Sequence, residues 1–171
     1  MVGGSIRDVL LGRPARDWDL ATSARPEQTQ ALFPSTLYEN QFGTVAVATD
    51  DPTVGEVEIT TFRSDHDYAD FRRPHHVEFT DSIELDLARR DVTVNAIAWG
   101  APAGDTPRLV DPFGGVTDVA AATLRAVGDP HARFEEDALR MLRIVRLAAT
   151  LGFGLEAGTL TGIQADRKSV V

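Results

Sequence analysis

The sequence predicts a mixed α/β domain in which a small sheet carries acidic residues and is flanked by helices. Three observations carry this expectation. Short strand-like runs recur at 17–22, 43–49 and 55–62, segments with helix start and stop signals lie between them, and a long amphipathic stretch follows after residue 129. No internal repeat or low-complexity segment interrupts the pattern. With 171 residues, 43% of them hydrophobic, the chain fits one large domain or one and a half small ones and can bury a core.

Ser5 to Leu11 reads as a short helix, with Ser5 near its cap and Gly12 just past its end. "DWDLAT" follows as a strand whose alternation puts Asp17, Asp19 and Ala21 on one face and Trp18, Leu20 and Thr22 on the other, where Trp18 and Leu20 anchor the core. Pro26 opens a helix through Leu32. "GTVAVAT" (43–49) and "GEVEITTF" (55–62) are strands, the second with Glu56, Glu58 and Thr60 on one face. Residues 63–80, "RSDHDYADFRRPHHVEFT", are charged, aromatic and interrupted by proline, which predicts a long functional loop. Asp81 with Glu84 reads as a capping box for a helix to Arg89, and "DPFGG" (111–115) as a turn.

A single long helix is expected from about Pro130 to Leu151. Projected at about 100° per residue, it places Phe134, Ala138, Met141, Leu142, Val145 and Ala149 on a core-facing arc. Asp137, Arg140, Arg143 and Arg146 wind over the opposite half, where Glu136 and Arg140 form a favourable i,i+4 pair. Both ends look abrupt: Met1 and Val2 leave no room for a strand before Gly3 and Gly4, and "TGIQADRKSVV" brings no closing element. The sequence therefore reads as a fragment at both ends.

Composition narrows the function classes. A net charge of −9 excludes a module that grips nucleic acid by overall charge, because such binding relies on lysine and arginine displacing phosphate counterions. The chain has sixteen arginines and a single lysine, Lys168, and no cysteine. Disulfides and thiolate metal sites are thus unavailable, which suits a reducing compartment. No apolar run reaches about 18 residues and no secretory leader is visible, so a cytoplasmic location without a membrane or protein partner is expected.

Two aspartates at i and i+2 on a strand point the same way and repel each other unless a cation lies between them. Mg²⁺ suits hard oxygen ligands and keeps waters that substrate phosphates can replace. Glu58, preferred over Glu56, would add a third carboxylate from an adjacent strand. A lone DxD is more often a solvated strand edge, but here "GGSIRD" precedes it. A glycine pair at a helix start lets backbone N–H groups approach an anion, and Arg7 lies one turn in. Downstream, Asp137 and Arg140 can read a base edge, since aspartate accepts from an exocyclic amino group and arginine donates to ring nitrogen or carbonyl acceptors. Cytosine and adenine both offer that combination.

"GGSIRD" with "DWDLATSA", then "EITTFR", "RRDVTVNAIA" (89–98), "DPFGG" and "EDALRMLRIVRLAATLGF" (136–153) resemble, in order and spacing, the class II tRNA nucleotidyltransferase and bacterial poly(A) polymerase superfamily. The resemblance covers nearly the whole chain and is strongest to CCA-adding enzymes. It implies a polymerase-beta-like nucleotidyltransferase head over 1–128, lacking its first strand, and the start of a helical neck over 129–171. It implies that Asp17 and Asp19 are catalytic and hold the metal, here read as Mg²⁺, beside the third catalytic carboxylate that strand facing assigns to Glu58, and that Gly4 and Arg7 bind the triphosphate. By the same resemblance Arg90 binds nucleotide, Asp91 checks the ribose, Asp137 and Arg140 template the base, and Arg143 and Arg146 make further nucleotide contacts. The loop 63–80 corresponds to the flexible segment implicated in switching from C to A addition. The implied partners are the tRNA acceptor end, CTP and ATP.

Val92 and Leu147 stand where the family usually has phenylalanine, as packing changes. "STLYENQFGTVAV" replaces the basic strand typical of poly(A) polymerases, which favours the CCA-adding branch. Poly(A), CC-only or A-only addition, and a non-catalytic nucleotide-binding remnant, stand as alternatives.

Overall fold

The computed structural model describes residues 1–15, 18–39, 42–51, 54–68, 74–102 and 104–166, with the backbone alone for 38, 39, 65–68 and 74–76. Its architecture is mixed α/β, as expected from the sequence. A four-stranded sheet is built from β1 (Asp19–Thr22), β2 (Thr36–Glu39), β3 (Thr44–Ala48) and β4 (Glu56–Thr61) in the order β1-β4-β3-β2. The β1–β4 pair is parallel and the other two are antiparallel. Helix α1 (Gly4–Leu10) precedes the sheet, and α2 (Pro26–Leu32) opens at its proline and crosses from β1 to β2.

Alternation sorts the sheet into two faces. Val45 and Val47 are buried and sit opposite Ile59 and Val57 in the β3–β4 register. Leu20 shares that face, since it pairs with Ile59. Thr61, also buried here, donates its hydroxyl to the Ala24 carbonyl at 2.8 Å at the entrance to α2. Asp19, Ala21, Glu58 and Thr60 occupy the other face, where Thr60 and Thr44 share a hydroxyl hydrogen bond at 3.1 Å. Leu20 and Trp18 are only half-buried, so the valines of β3 rather than these two residues anchor the apolar face.

The segment expected to be a long loop is a hairpin. β5 (Arg63–Tyr68) and β6 (Pro74–Phe79) pair antiparallel, with Arg63 opposite Phe79 and Tyr68 opposite Pro74; the 69–73 tip lies outside the described residues. Pro74 sits at the start of β6, a position where the missing N–H costs no interior ladder bond. Tertiary contacts at the root outweigh the charged composition. Arg63 Nη1 donates to the Phe42 carbonyl at 2.7 Å and its guanidinium stacks 5.3 Å from the Phe42 ring, while Arg25 stacks 5.5 Å from Phe79.

Helix α3 (Ile83–Ala88) is capped by Ser82 and not by Asp81: the Ser82 hydroxyl accepts from Leu85 N–H at 3.3 Å and donates to Glu84 at 2.9 Å. A 3-10 turn (Thr93–Asn95) then leads into β7 (Ala98–Gly100), which pairs with β8 (Arg108–Val110). "DPFGG" caps a helix: the two Asp111 oxygens accept from Gly115 and Val116 N–H at 2.7 and 2.9 Å, opening α4 (Gly115–Ala120). The two-residue strands β9 (Thr123–Leu124) and β10 (Gly154–Leu155) pair parallel.

The expected single helix over 130–151 is broken. α5 (Pro130–Glu136) ends at Asp137, whose backbone is extended at φ −149° and ψ 103°, and α6 (Leu139–Leu151) begins two residues later. The Asp137 carboxylate accepts from Leu139 N–H at 2.9 Å, so this aspartate acts as the cap of α6. The break resets the helical phase. Phe134, Ala138 and Met141 are buried as expected, joined by Ile144, but Leu142, Val145 and Ala149 are exposed. Helix α7 (Ala157–Asp166) follows and packs on α5. The main core gathers Ile6, Val92, Val94, Ile97, Leu124, Phe134, Met141, Ile144 and Phe153, so α5 and α6 pack onto the same core as α1 and the 3-10 turn.

Candidate active site

Three groups of polar side chains make up the candidate site, the first two meeting at Gly3 and the second and third linked through the adjacent residues Arg90 and Asp91. The first is the strand edge. Asp19 lies opposite Glu58 in the parallel β1–β4 register, and paired residues of adjacent strands face the same way. Glu56 lies two residues beyond the end of that pairing, opposite Ala48 of β3. Asp17 falls outside the described residues. Among the described residues no group of three or more His, Asp or Glu gathers around one point. The donor set that Asp19 and Glu58 offer is nonetheless all oxygen, the chemistry that fits Mg²⁺.

The second group surrounds the glycine turn. Gly3 caps α1 at φ 76° and ψ −135°, a conformation open essentially to glycine alone. Its N–H donates to Ile97 O at 3.0 Å, and the preceding Val2 N–H donates to Asp19 O at 3.0 Å, so the turn is stitched to β1 and to the segment after the 3-10 turn. A Cβ on Gly3 would lie 2.8 Å from Arg90 Nη1 and 3.8 Å from Asp19 Oδ2. The missing side chain therefore leaves room for Arg90 against the turn, with Asp19 at ordinary contact distance beside it. The first i→i−4 bond of α1 is Arg7 N–H to Gly3 O, which leaves the amides of Gly4, Ser5 and Ile6 without an intrahelical acceptor.

Arg7 is held from two sides. Its Nε donates to Asp8 at 2.9 Å and its Nη1 to Asn95 Oδ1 at 2.6 Å, with Nη2 2.8 Å from Asp8. Each terminal nitrogen carries two N–H groups, so a phosphate can share donors that these contacts already orient. Arg90 is fixed by Asp86, whose Oδ2 accepts from Nη2 at 3.2 Å, and by the Asn95 carbonyl, which accepts from Nη1 at 3.4 Å. Burial pulls the Arg90 pKa below its ordinary value, opposed mainly by the charge of Asp86 and in part by Asp19. The guanidinium stays charged at neutral pH, and among the described residues its Nε has no hydrogen-bond partner.

Asp86 is fully buried and also takes Arg89 Nε at 3.0 Å, with the Arg63 backbone N–H at 3.4 Å. One carboxylate thus ties α3, the hairpin root and Arg90 together. Asp86→Ala leaves two arginines without their shared counter-ion in the interior. The expected cost is about 3–5 kcal/mol of stability, read by denaturant melts of the complete protein; a loss below about 1 kcal/mol would show that the network is solvated instead.

The third group is the ion network on the break between α5 and α6. Asp91 Oδ2 accepts from Arg143 Nε at 2.7 Å and Oδ1 accepts from Arg143 Nη2 at 3.2 Å; Arg140 Nε lies 3.4 Å from Oδ1. Arg143 Nη2 also donates to Asp137 Oδ2 at 2.8 Å. Arg140 is 3% exposed and sits 3.1 Å from Glu136, the i,i+4 pair expected from the sequence, formed here across the break. Burial lowers the Arg143 pKa, but its hydrogen bonds and charge pairing with Asp91 and Asp137 outweigh that and leave it raised. Arg146 stands exposed one turn further along α6 and joins none of these ion pairs among the described residues.

Of the residues singled out from the sequence, Asp19, Glu58, Gly4, Arg7, Arg90, Asp91, Asp137, Arg140 and Arg143 fall into these groups, and the adjacent pair Arg90 and Asp91 joins the second to the third. Sequence reasoning missed Asn95 and Asp86. Asp86 carried a signal, three and four residues before Arg89 and Arg90 at the end of α3. Asn95 carried no local signal, since Arg7 is 88 positions away, although it lies within the motif at 89–98.

Comparison with known proteins identifies the family. Residues 1–125 match the poly A polymerase head domain family. The CCA-adding enzyme of Streptococcus pyogenes serotype M2 (strain MGAS10270) is 48% identical over 165 residues, covering 96% of this chain and 39% of that enzyme. The CCA-adding enzyme of Geobacillus thermodenitrificans (strain NG80-2) is 47% identical over 166 residues, with 96% and 39% coverage. Among solved structures, the Bacillus stearothermophilus CCA-adding enzyme in complex with CTP superposes with a TM-score of 0.79 at 41% identity, over 95% of this chain and 37% of that one. A CCA-adding enzyme in complex with ATP gives 0.77 at 25% identity, over 98% and 37%. The chain thus spans 39% of the length of the two sequence relatives. With the fold shared over nearly its whole length and the match running from residue 1 to residue 125, the chain belongs to the poly A polymerase head domain family.

Proposed function

We propose that this chain is the catalytic head of a tRNA nucleotidyltransferase that adds C and A to the tRNA 3′ end from CTP and ATP, releasing pyrophosphate. The observation that carries this reading is that Arg90 lies against the Gly3 turn beside Asp19, opposite Glu58, while the next residue, Asp91, enters the network with Asp137, Arg140 and Arg143. It is supported by relatives named CCA-adding enzymes and by solved relatives bound to CTP and to ATP.

In this reading Asp17 and Asp19, with Glu58, hold Mg²⁺. Such a site, when loaded, activates the RNA 3′-hydroxyl and neutralises the departing pyrophosphate. Gly4 and Arg7 orient the triphosphate, Arg90 binds the nucleotide, and Arg143 and Arg146 add further nucleotide contacts. Asp91 accepts from the ribose 2′-OH, and Asp137 with Arg140 reads the amino and acceptor groups shared by cytosine and adenine. The head comprises 1–128, and 129–171 begins a helical neck. The tRNA is gripped mainly by regions beyond this chain, consistent with its net charge of −9. No helix among the described residues is long and apolar enough to cross a membrane.

The test is to incubate the complete gene product with tRNA lacking its 3′ end, labelled CTP and ATP, and Mg²⁺, and to sequence the products. Addition of CCA is the expected result. Oligo(A), C-only or A-only products would assign one of the sibling activities, and metal-dependent NTP binding without transfer would mark a non-catalytic nucleotide-binding protein.

A further inference from the structure

The acceptors that a nucleotide would use for its ribose and its base are those that one guanidinium, that of Arg143, already occupies. Its Nε and Nη2 engage both oxygens of Asp91, at 2.7 and 3.2 Å, and the same Nη2 reaches Asp137 Oδ2 at 2.8 Å. The other Asp137 oxygen is committed to the Leu139 N–H that starts α6. The guanidinium is planar and rigid, so it cannot leave one carboxylate and keep its geometry at the other. The two arginines of the network also differ in freedom. The Arg143 side chain is 42% exposed and has solvent to swing into, whereas that of Arg140 is 4% exposed and stays to balance the carboxylates after Arg143 leaves.

We propose that Arg143 is a specificity-determining residue that couples ribose recognition to base recognition, by competing for Asp91 and Asp137 together. A ribose 2′-OH that takes Asp91 from Arg143 frees Asp137 for the exocyclic amino group of the base, and the reverse holds by thermodynamic reciprocity. A nucleotide lacking either group pays for displacing the whole fork with one hydrogen bond. This inference rests on the roles assigned to Asp91 and Asp137 under the proposed function.

The test is a cycle of four ligands, CTP, dCTP, UTP and dUTP, titrated calorimetrically into the complete protein. In the wild type, removing the 2′-OH weakens CTP by about fivefold or more beyond its effect on UTP, the size expected for groups coupled through one network. In Arg143→Ala the two effects agree within about twofold. Arg143→Lys supplies a second variant should the alanine protein fail to fold: it keeps the charge but, as a point donor, cannot bridge both carboxylates, so the coupling also falls. Equal 2′-OH effects in the wild type, or full coupling retained in Arg143→Lys, overturn the inference. Wild-type protein that prefers CTP to UTP with additive effects overturns this inference alone, whereas no preference between CTP and UTP overturns the proposed function as well.

Discussion

Asp19→Ala lowers nucleotide incorporation by the complete enzyme by about a thousandfold or more. A catalytic metal contributes several kcal/mol of charge stabilisation to the transition state, and each factor of ten corresponds to about 1.4 kcal/mol. The fold survives the change. Asp19 supports its neighbours through its backbone, whose carbonyl accepts from Val2 N–H at 3.0 Å and whose ladder pairs with Glu58, and alanine leaves both bonds in place. Arg90 retains its principal counter-ion, Asp86. Asp17→Ala has the same expected effect on activity. Circular dichroism melts within a few degrees of wild type, together with the lost incorporation, are the expected pair of readings; activity within about tenfold of wild type at an unchanged melting point would remove Asp19 from the metal role.

Asp137→Ala erodes the choice of CTP and ATP over UTP and GTP. One well-formed base-edge contact discriminates by about 1–3 kcal/mol, or roughly 5- to 150-fold, so selectivity collapses toward parity while incorporation persists. The structure adds a complication that projecting one continuous helix hides. Asp137 also caps α6 through Leu139 N–H, and removing a cap costs about 1 kcal/mol. Asp137→Asn separates the two roles. Its amide oxygen preserves the cap, and its amide nitrogen replaces one acceptor with a donor that repels an exocyclic amino group. A retained α6 cap, some stability lost with the Arg143 pairing, and an inverted preference with CTP disfavoured against UTP are the expected outcome in melts and competition assays. Unchanged selectivity in both variants, at normal turnover, would show that Asp137 serves only the helix.

These expectations show how far local reasoning reaches. Helix α2, strands β3 and β4 and the facing of Glu58 and Thr60 are local properties: a proline at a first turn or a period-two alternation is set by neighbours within a few residues. The hairpin β5–β6 was not legible. A charged, proline-containing run has weak strand propensity, and its pairing is secured at the root by Phe42, Arg25 and Asp86, which lie up to 54 positions away from the strand residues they hold. The break at Asp137 escaped for a different reason. A 3.6-residue period continues smoothly through 130–151, whereas the side-chain bond from Asp137 to Leu139 N–H competes locally with helix, as aspartate does at caps.

By itself the sequence determined the chemistry on offer: carboxylates spaced to share a strand face, a glycine pair ahead of a short helix, and an aspartate followed three residues later by arginine. Those facts follow from residue type and backbone period, which need no knowledge of the rest of the chain. Only the tertiary structure decided which partners hold each group. It set Asn95 against Arg7, Asp86 beneath Arg90, and Arg143 between Asp91 and Asp137. Contacts across 88 and 52 positions depend on how the core brings α1, the 3-10 turn and α6 together, and no local pattern encodes that distance.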